Sequence, residues 1–421
     1  MTGAEVGRRT GNARPSSLLL RNATSADGRR LDVRLTGGLI DRVADAGTLT
    51  PGEEAVDLGG FLLLPAPAEP HAHYDTALLR ERAPNPSGTL EAAIAAWESV
   101  ASSADFDDFV ARAEAVARMA VTKGATAVRT HVGIYPGHGL TAVKALIEVR
   151  ERVRPWLDLQ VVALTVRYTT PEAEQVREWL REAVTLGVDV VGGCPHLDPA
   201  PRTCIDAFLA LAADSSLPVD LHMDETLNLE SDPKFDNLPY LARRVRESGL
   251  QGRVTASHCV SLGTQPLEKA KDTAADLADA GVAVVCNPQT NLSLQAREFE
   301  TAKPRGLTAV GPLLSAGVVL AGGGDNVQDP FNPMGRADPL ETGSLLVTAG
   351  HLTSEEAYRA VSAGARAAMG MPEVRLEPGH PAELLALRAA SLDQAVADPT
   401  DRLVIHQGRV VSRTTVTRQG P

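Results

Sequence analysis

The chain has 421 residues, 43% of them hydrophobic and 22% charged, with a formal net charge of -12. This composition excludes the disordered and fibrous classes, and the acidic excess excludes a phosphate-backbone partner, which needs clustered Lys and Arg. No apolar run approaches the roughly 20 residues of a membrane-spanning helix, so neither nucleic acid nor membrane is an expected partner.

Residues 1–17 carry Arg8, Arg9 and Arg14, but the apolar run behind them, Leu18 to Leu20, is too short for a secretory core. A cytoplasmic location is the default that follows. Cys194, Cys204, Cys259 and Cys286 stand in apolar or helical stretches without CxxC spacing and read as reduced core thiols. From 17 to 57, short apolar pieces alternate with turn signals, as in Leu31-Asp-Val-Arg-Leu-Thr-Gly-Gly-Leu-Ile, and 384–387 and 403–411 read the same way. The two ends, residues 1–65 and 373–421, are expected to build one small β-sandwich domain.

Between them, compact apolar runs alternate with stretches of helical period. The runs are 61–66, 125–132, 159–166, 188–193, 218–223, 253–259, 282–286 and 318–322; helices are expected within 89–119, 140–153, 171–186 and 264–280. Eight parallel strands with crossover helices predict an α/β fold, a TIM (β/α)8 barrel over residues 66–372. An open doubly wound sheet is the alternative, but no GxGxxG follows a strand.

In a TIM barrel the reactive residues sit at the C-terminal ends of strands. His71 and His73 follow the first run at a spacing that turns both side chains the same way. His131 ends the second run, His222 and Glu225 the fifth and His258 the sixth, while Asp325 follows the eighth. His71, His73, His222 and Asp325 are therefore expected to hold one divalent metal ion, zinc or ferrous iron, with a position left for water. Such an ion lowers the pKa of water so that hydroxide is available near neutral pH. Glu225 is placed to shuttle the proton and His258 to orient the hydroxide. The competing reading of Glu225 is a carboxylate complementing a helix N-terminus. His131 is either a supporting partner or a packed residue, and His138, His351, His380 and His406 lack strand-end company and read as ordinary. Residues 230–240, with Pro233, Asp236, Asn237 and Pro239, form a candidate loop over the pocket.

The stretches Glu69-Pro-His-Ala-His-Tyr-Asp-Thr, Val128-Arg-Thr-His-Val, Pro195-His196, Leu221-His-Met-Asp-Glu, Val254-Thr-Ala-Ser-His, Cys286-Asn-Pro and Gly324-Asp-Asn resemble the bacterial cytosine deaminases of the amidohydrolase superfamily. The resemblance implies that His71, His73, His222 and Asp325 ligate a single iron or zinc. It implies too that Glu225 is the proton shuttle and that His258 contacts the hydroxide, in attack on an amidine carbon of a heterocyclic base with release of ammonia.

The departures lie in the pocket. Val166 stands where those enzymes carry a glutamine that reads the pyrimidine edge, and Asn326 where they carry a second aspartate. Gly324 replaces a histidine, and Gly133 and Phe331 also differ. A lost hydrogen-bonding group signals a changed substrate, so Val166, Arg167, Asn326 and Phe331 are expected to line a pocket for a small heterocycle other than cytosine. Arg167 either clamps a carbonyl or anionic group or is a surface arginine.

The expected reaction is hydrolytic deamination. The alternative is hydrolysis of a cyclic amide (lactam) or an N-substituted heterocycle at the same metal site, and a barrel that has lost catalysis is a third reading. The sequence leaves a homo-oligomer open.

Overall fold

The computed structural model describes residues 17–50, 54–398, 401–417 and 419–420; Arg8, Arg9 and Arg14 lie outside the described residues. The chain enters through β1 (Ser17–Thr24), β2 (Arg30–Thr36), β3 (Leu39–Asp45), β4 (Glu54–Asp57) and β5 (Leu62–Pro65). Gly37 and Gly38 join β2 to β3 with φ of 60° and 83°, the backbone that a tight hairpin turn demands.

Eight strands follow: β6 (Ala68–Ala72), β7 (Ala127–Gly133), β8 (Asp158–Thr165), β9 (Val190–Gly193), β10 (Val219–Met223), β11 (Val254–His258), β12 (Ala283–Cys286) and β13 (Leu320–Gly322). Each is parallel to the next in sequence order. The ring closes where Ala72 bridges to Asp325, whose amide donates to the His71 carbonyl at 2.9 Å. This is the expected TIM barrel. The stretch expected as one helix over 89–119 is two, Leu90–Ala101 and Phe106–Lys123, the second capped by the Asp105 side chain.

The chain then adds β14 (Leu384–Leu387), β15 (Arg402–His406) and β16 (Arg409–Thr414) to the terminal sheet, whose order is β16-β15-β14-β5-β1-β2-β3 with β4 beside β1. The sheet folds over its own core, so Leu20, Val33 and Leu35 pack in one cluster with Leu384, Ala386, Leu403 and Ile405. The terminal strands thus form a separate sheet domain. Run 61–66, expected as the first barrel strand, belongs here instead: as β5 it pairs antiparallel with β14, Leu62 opposite Leu387 and Pro65 opposite Leu384. The barrel begins one segment later, with β6.

Inside the barrel, side chains alternate inward with the strand period of two. Ala68, Ala127, Ala283, Val285 and Ala321 form a floor with Ala365, Ala368 and Met369. Above them lie the buried Arg129, Asp220, Thr255 and Ser257, and beyond these the histidines of the strand ends. All four cysteines are buried and unpaired with one another, as expected. Among the described residues no helix is long and apolar enough to cross a membrane.

His406, read as ordinary, ties the sheet domain to the barrel. It is buried, with Nδ1 2.9 Å from Glu383 and Nε2 4.0 Å from Asp158 at the start of β8, while Arg366 lies 3.9 Å from the same glutamate. Burial disfavours its charged form, yet the Glu383 hydrogen bond and the two carboxylates outweigh this and hold its pKa above the usual histidine value. The folded state therefore favours the imidazolium. That stabilisation is complete below the unfolded value of about 6.5 and is lost as pH rises through the folded value. His406→Gln is expected to lower the Tm by about 1–2 °C more at pH 6 than at pH 9, read by thermal unfolding at both pH values.

Candidate metal centre

The barrel geometry brings the strand-end residues to one point. His73 Nε2 lies 3.2 Å from His222 Nε2 and 3.4 Å from Asp325 Oδ1, and His71 Nε2 lies 3.7 Å from the same oxygen. A tetrahedral ion with ligand bonds of about 2.0–2.1 Å needs donors about 3.3 Å apart, so these separations fit one cation. His71, His222 and His258 form one cluster of metal-holding geometry, and His71, His73 and His131 another.

Burial, then repulsion from the other imidazoles, holds His71 and His222 well below the usual histidine pKa. Neutral rings are what a metal ion requires. Neither Asp325 oxygen accepts a hydrogen bond among the described residues, and His71 Nε2 and His222 Nδ1 have no partner there either. Burial pushes the Asp325 carboxyl well above the usual carboxylate range, with Glu225 and Asp329 adding to it. Such a carboxylate keeps its charge beside a cation.

The layer beneath aims these donors. Ser257 Oγ donates to Asp220 Oδ1 at 2.8 Å and lies 2.9 Å from His71 Nδ1. The single serine proton goes to the carboxylate, so His71 Nδ1 is the donor to Ser257 and the Nε2 lone pair is left facing the centre. Asp220 also lies 2.9 Å from the buried Arg129 guanidinium and 3.4 Å from His131 Nε2. His131 is thus a member of this layer, its ring centroid 4.0 Å from that of His71. Glu69 supports β6, accepting from the amides of His71 at 3.1 Å and Gly324 at 2.9 Å. A Cβ on Gly324 would stand 2.9 Å from Glu69 Oε2, so a side chain there would displace that carboxylate.

Asp325 and His258 sit at φ of 65° and 71°, a costly backbone for residues with side chains, held here where the strand ends turn into the mouth. Glu225 lies two residues beyond β10 in a stretch with neither helix nor strand; the next helical residues begin at Pro233, so no helix N-terminus explains it. Its carboxylate lies 3.5 Å from His258 Nδ1 and 3.7 Å from His196 Nε2, and burial raises its pKa to about 8. Asn291 and Asn287 bracket His258 at 3.2 and 3.3 Å.

These groups open into a cavity of about 650 Å³ lined by His73, His222, Glu225, His258 and Asp325 and also by Val166, Arg167, Asn326 and Phe331. The Asn326 amide is held by Asp329 at 2.7 Å. Arg167 is exposed at the rim with φ of 55°. No residue of 230–240 lines the cavity: that segment is pinned beside it, with Asn237 donating twice to the buried Asp224 at 2.8 Å. Sequence reading missed Asp220, Ser257, Arg129 and His196. The signal for Asp220 was its place two residues before His222, on the same strand face.

A family model described as "Amidohydrolase family" matches residues 77–412. The chain is 31% identical to the pterin deaminase of Rhizobium rhizogenes over 91% of this chain and 88% of that protein. It is 27% identical to the N-isopropylammelide isopropyl amidohydrolase of Pseudomonas sp., over 95% and 98% of the two chains. The crystal structure of 5-methylcytosine deaminase from Klebsiella pneumoniae with 5-fluorocytosine superposes with a TM-score of 0.87 at 28% identity, covering 96% of this chain and 99% of that one.

Asp220→Ala leaves the buried Arg129 charge without its carboxylate. It is expected to cost about 3–5 kcal/mol of stability, measured as a fall in the urea midpoint.

Proposed function

This chain belongs to the amidohydrolase family, and we propose that it hydrolytically deaminates a heterocyclic amidine other than cytosine. In this reading His71, His73, His222 and Asp325 hold one zinc or ferrous ion. Bound there, the ion supplies nucleophilic hydroxide from water near neutral pH. The observation that carries the proposal is the convergence of these donors at the head of a cavity that also contains Glu225.

The roles of the other residues follow from where their atoms lie. Glu225, whose burial favours the protonated carboxyl, takes up a proton from water and delivers it to the departing nitrogen. His258, bracketed by Asn287 and Asn291, orients the attacking oxygen. Val166, Arg167, Asn326 and Phe331 line the space for the ring. Val166 offers no hydrogen bond to a pyrimidine edge, and a site that reads such an edge discriminates strongly against ligands that lack it.

A second reading, removal of an N-alkyl amine or opening of a cyclic amide at the same centre, is favoured by the mainly apolar wall of the cavity. The likeness to the isopropylammelide amidohydrolase points the same way.

The test is ammonia release by metal-loaded protein from a panel of aminated pteridines, triazines and pyrimidines, cytosine included. Glu225→Gln is expected to lower kcat about 10²–10⁴-fold with metal content unchanged. A released alkylamine, or ring opening without ammonia, establishes the second reading instead.

A further inference from the structure

The part of the cavity lining that the donor cluster does not supply has a consistent chemistry. Three separate segments each turn an apolar pair into it. Leu90 and Ile94 stand four residues apart on the helix Leu90–Ala101, and so share one face. Leu164 stands near the end of β8 and Val166 just beyond it, and both line the cavity. Ala173 and Val176 stand three apart where the chain enters the helix Glu174–Leu186. All six are buried or half-buried; of the charged residues that line the cavity beside the donor cluster, Glu91, Glu98, Arg167 and Glu172 are exposed and belong to its rim, while Asp75 is buried with its carboxylate accepting from the Gly133 and Thr76 amides.

Size points the same way. At about 650 Å³ the cavity sits within the range of about 300–1,000 Å³ typical of sites for drug-sized ligands. A lone six-membered ring leaves most of it empty. An apolar wall facing water recovers free energy only when apolar matter covers it.

We infer that the substrate heterocycle carries an apolar substituent, which lies against the wall formed by Leu90, Ile94, Leu164, Val166, Ala173 and Val176. The inference rests on the reading of this cavity as the substrate site. It makes the wall the determinant of which heterocycle is chosen, while the donor cluster and Glu225 act on the ring carbon.

The experiment uses the metal-loaded full chain and one aminated pteridine with its methyl, ethyl and propyl derivatives, substituted on a ring carbon. Turnover is followed by ammonia release, and binding by calorimetry on Glu225→Gln. Each added methylene is expected to tighten binding about fourfold, the equivalent of about 0.8 kcal/mol, with the gain in kcat/KM carried by KM. Ile94→Trp is expected to abolish the gain and to cut the propyl derivative far more than the parent ring. Ile94→Ala keeps the fold and is expected to shift the preference toward longer chains. Binding and turnover that are flat or falling along the series overturn the inference even if the parent ring is deaminated. A rise in binding without ammonia from any member upholds the inference and overturns the deaminase reading.

Discussion

A carboxylate cannot remain charged in a protein interior with neither oxygen hydrogen-bonded unless a cation stands beside it. Asp325 is in that position, 2% exposed and surrounded by imidazoles that burial keeps neutral. Much of the barrel is organised around that condition. The ring of strands closes through the Asp325 amide itself, Glu69 fastens the neighbouring loop, and Asp220 with Ser257 fixes the tautomer of His71 from below.

The layers of the interior divide the work. Small apolar residues seal the floor, a buried Arg129–Asp220 pair sets the orientation of the donors, and the donors meet the cavity at the top. A buried ion pair of this kind adds little net stability, because the desolvation of two charges offsets their attraction. What it provides here is geometry: it holds Asp220 where Ser257 and His131 can reach it. The cavity beyond is mainly apolar, so positioning of a ligand and chemistry upon it fall to different residues.

The barrel was legible because its strands are covered on both faces and so appear as continuous apolar runs. The rule failed at β6, where Glu69 and His71 interrupt the pattern, and the apolar run just before it, Leu62 to Leu64, took its place in the count. The strand-end histidines and Asp325 were legible from position alone, as was the presence of Val166 and Phe331 in the lining. Asp220, Ser257 and Arg129 were not, since a polar residue inside a barrel strand looks in sequence like one facing water. Nor was the place of 230–240, whose turn residues suggested a cover over the pocket but serve to hold Asp224 through Asn237. His406 escaped because its partners lie far away in the chain, at Glu383 and Asp158.

The most direct measurement of the central claim is the metal content of the purified chain by elemental analysis, set beside that of Asp325→Asn. One equivalent of zinc or iron per chain, lost in the variant while the fold is retained, is the result this account predicts. Full activity from a chain stripped of metal, or equal metal content in the variant, would contradict it.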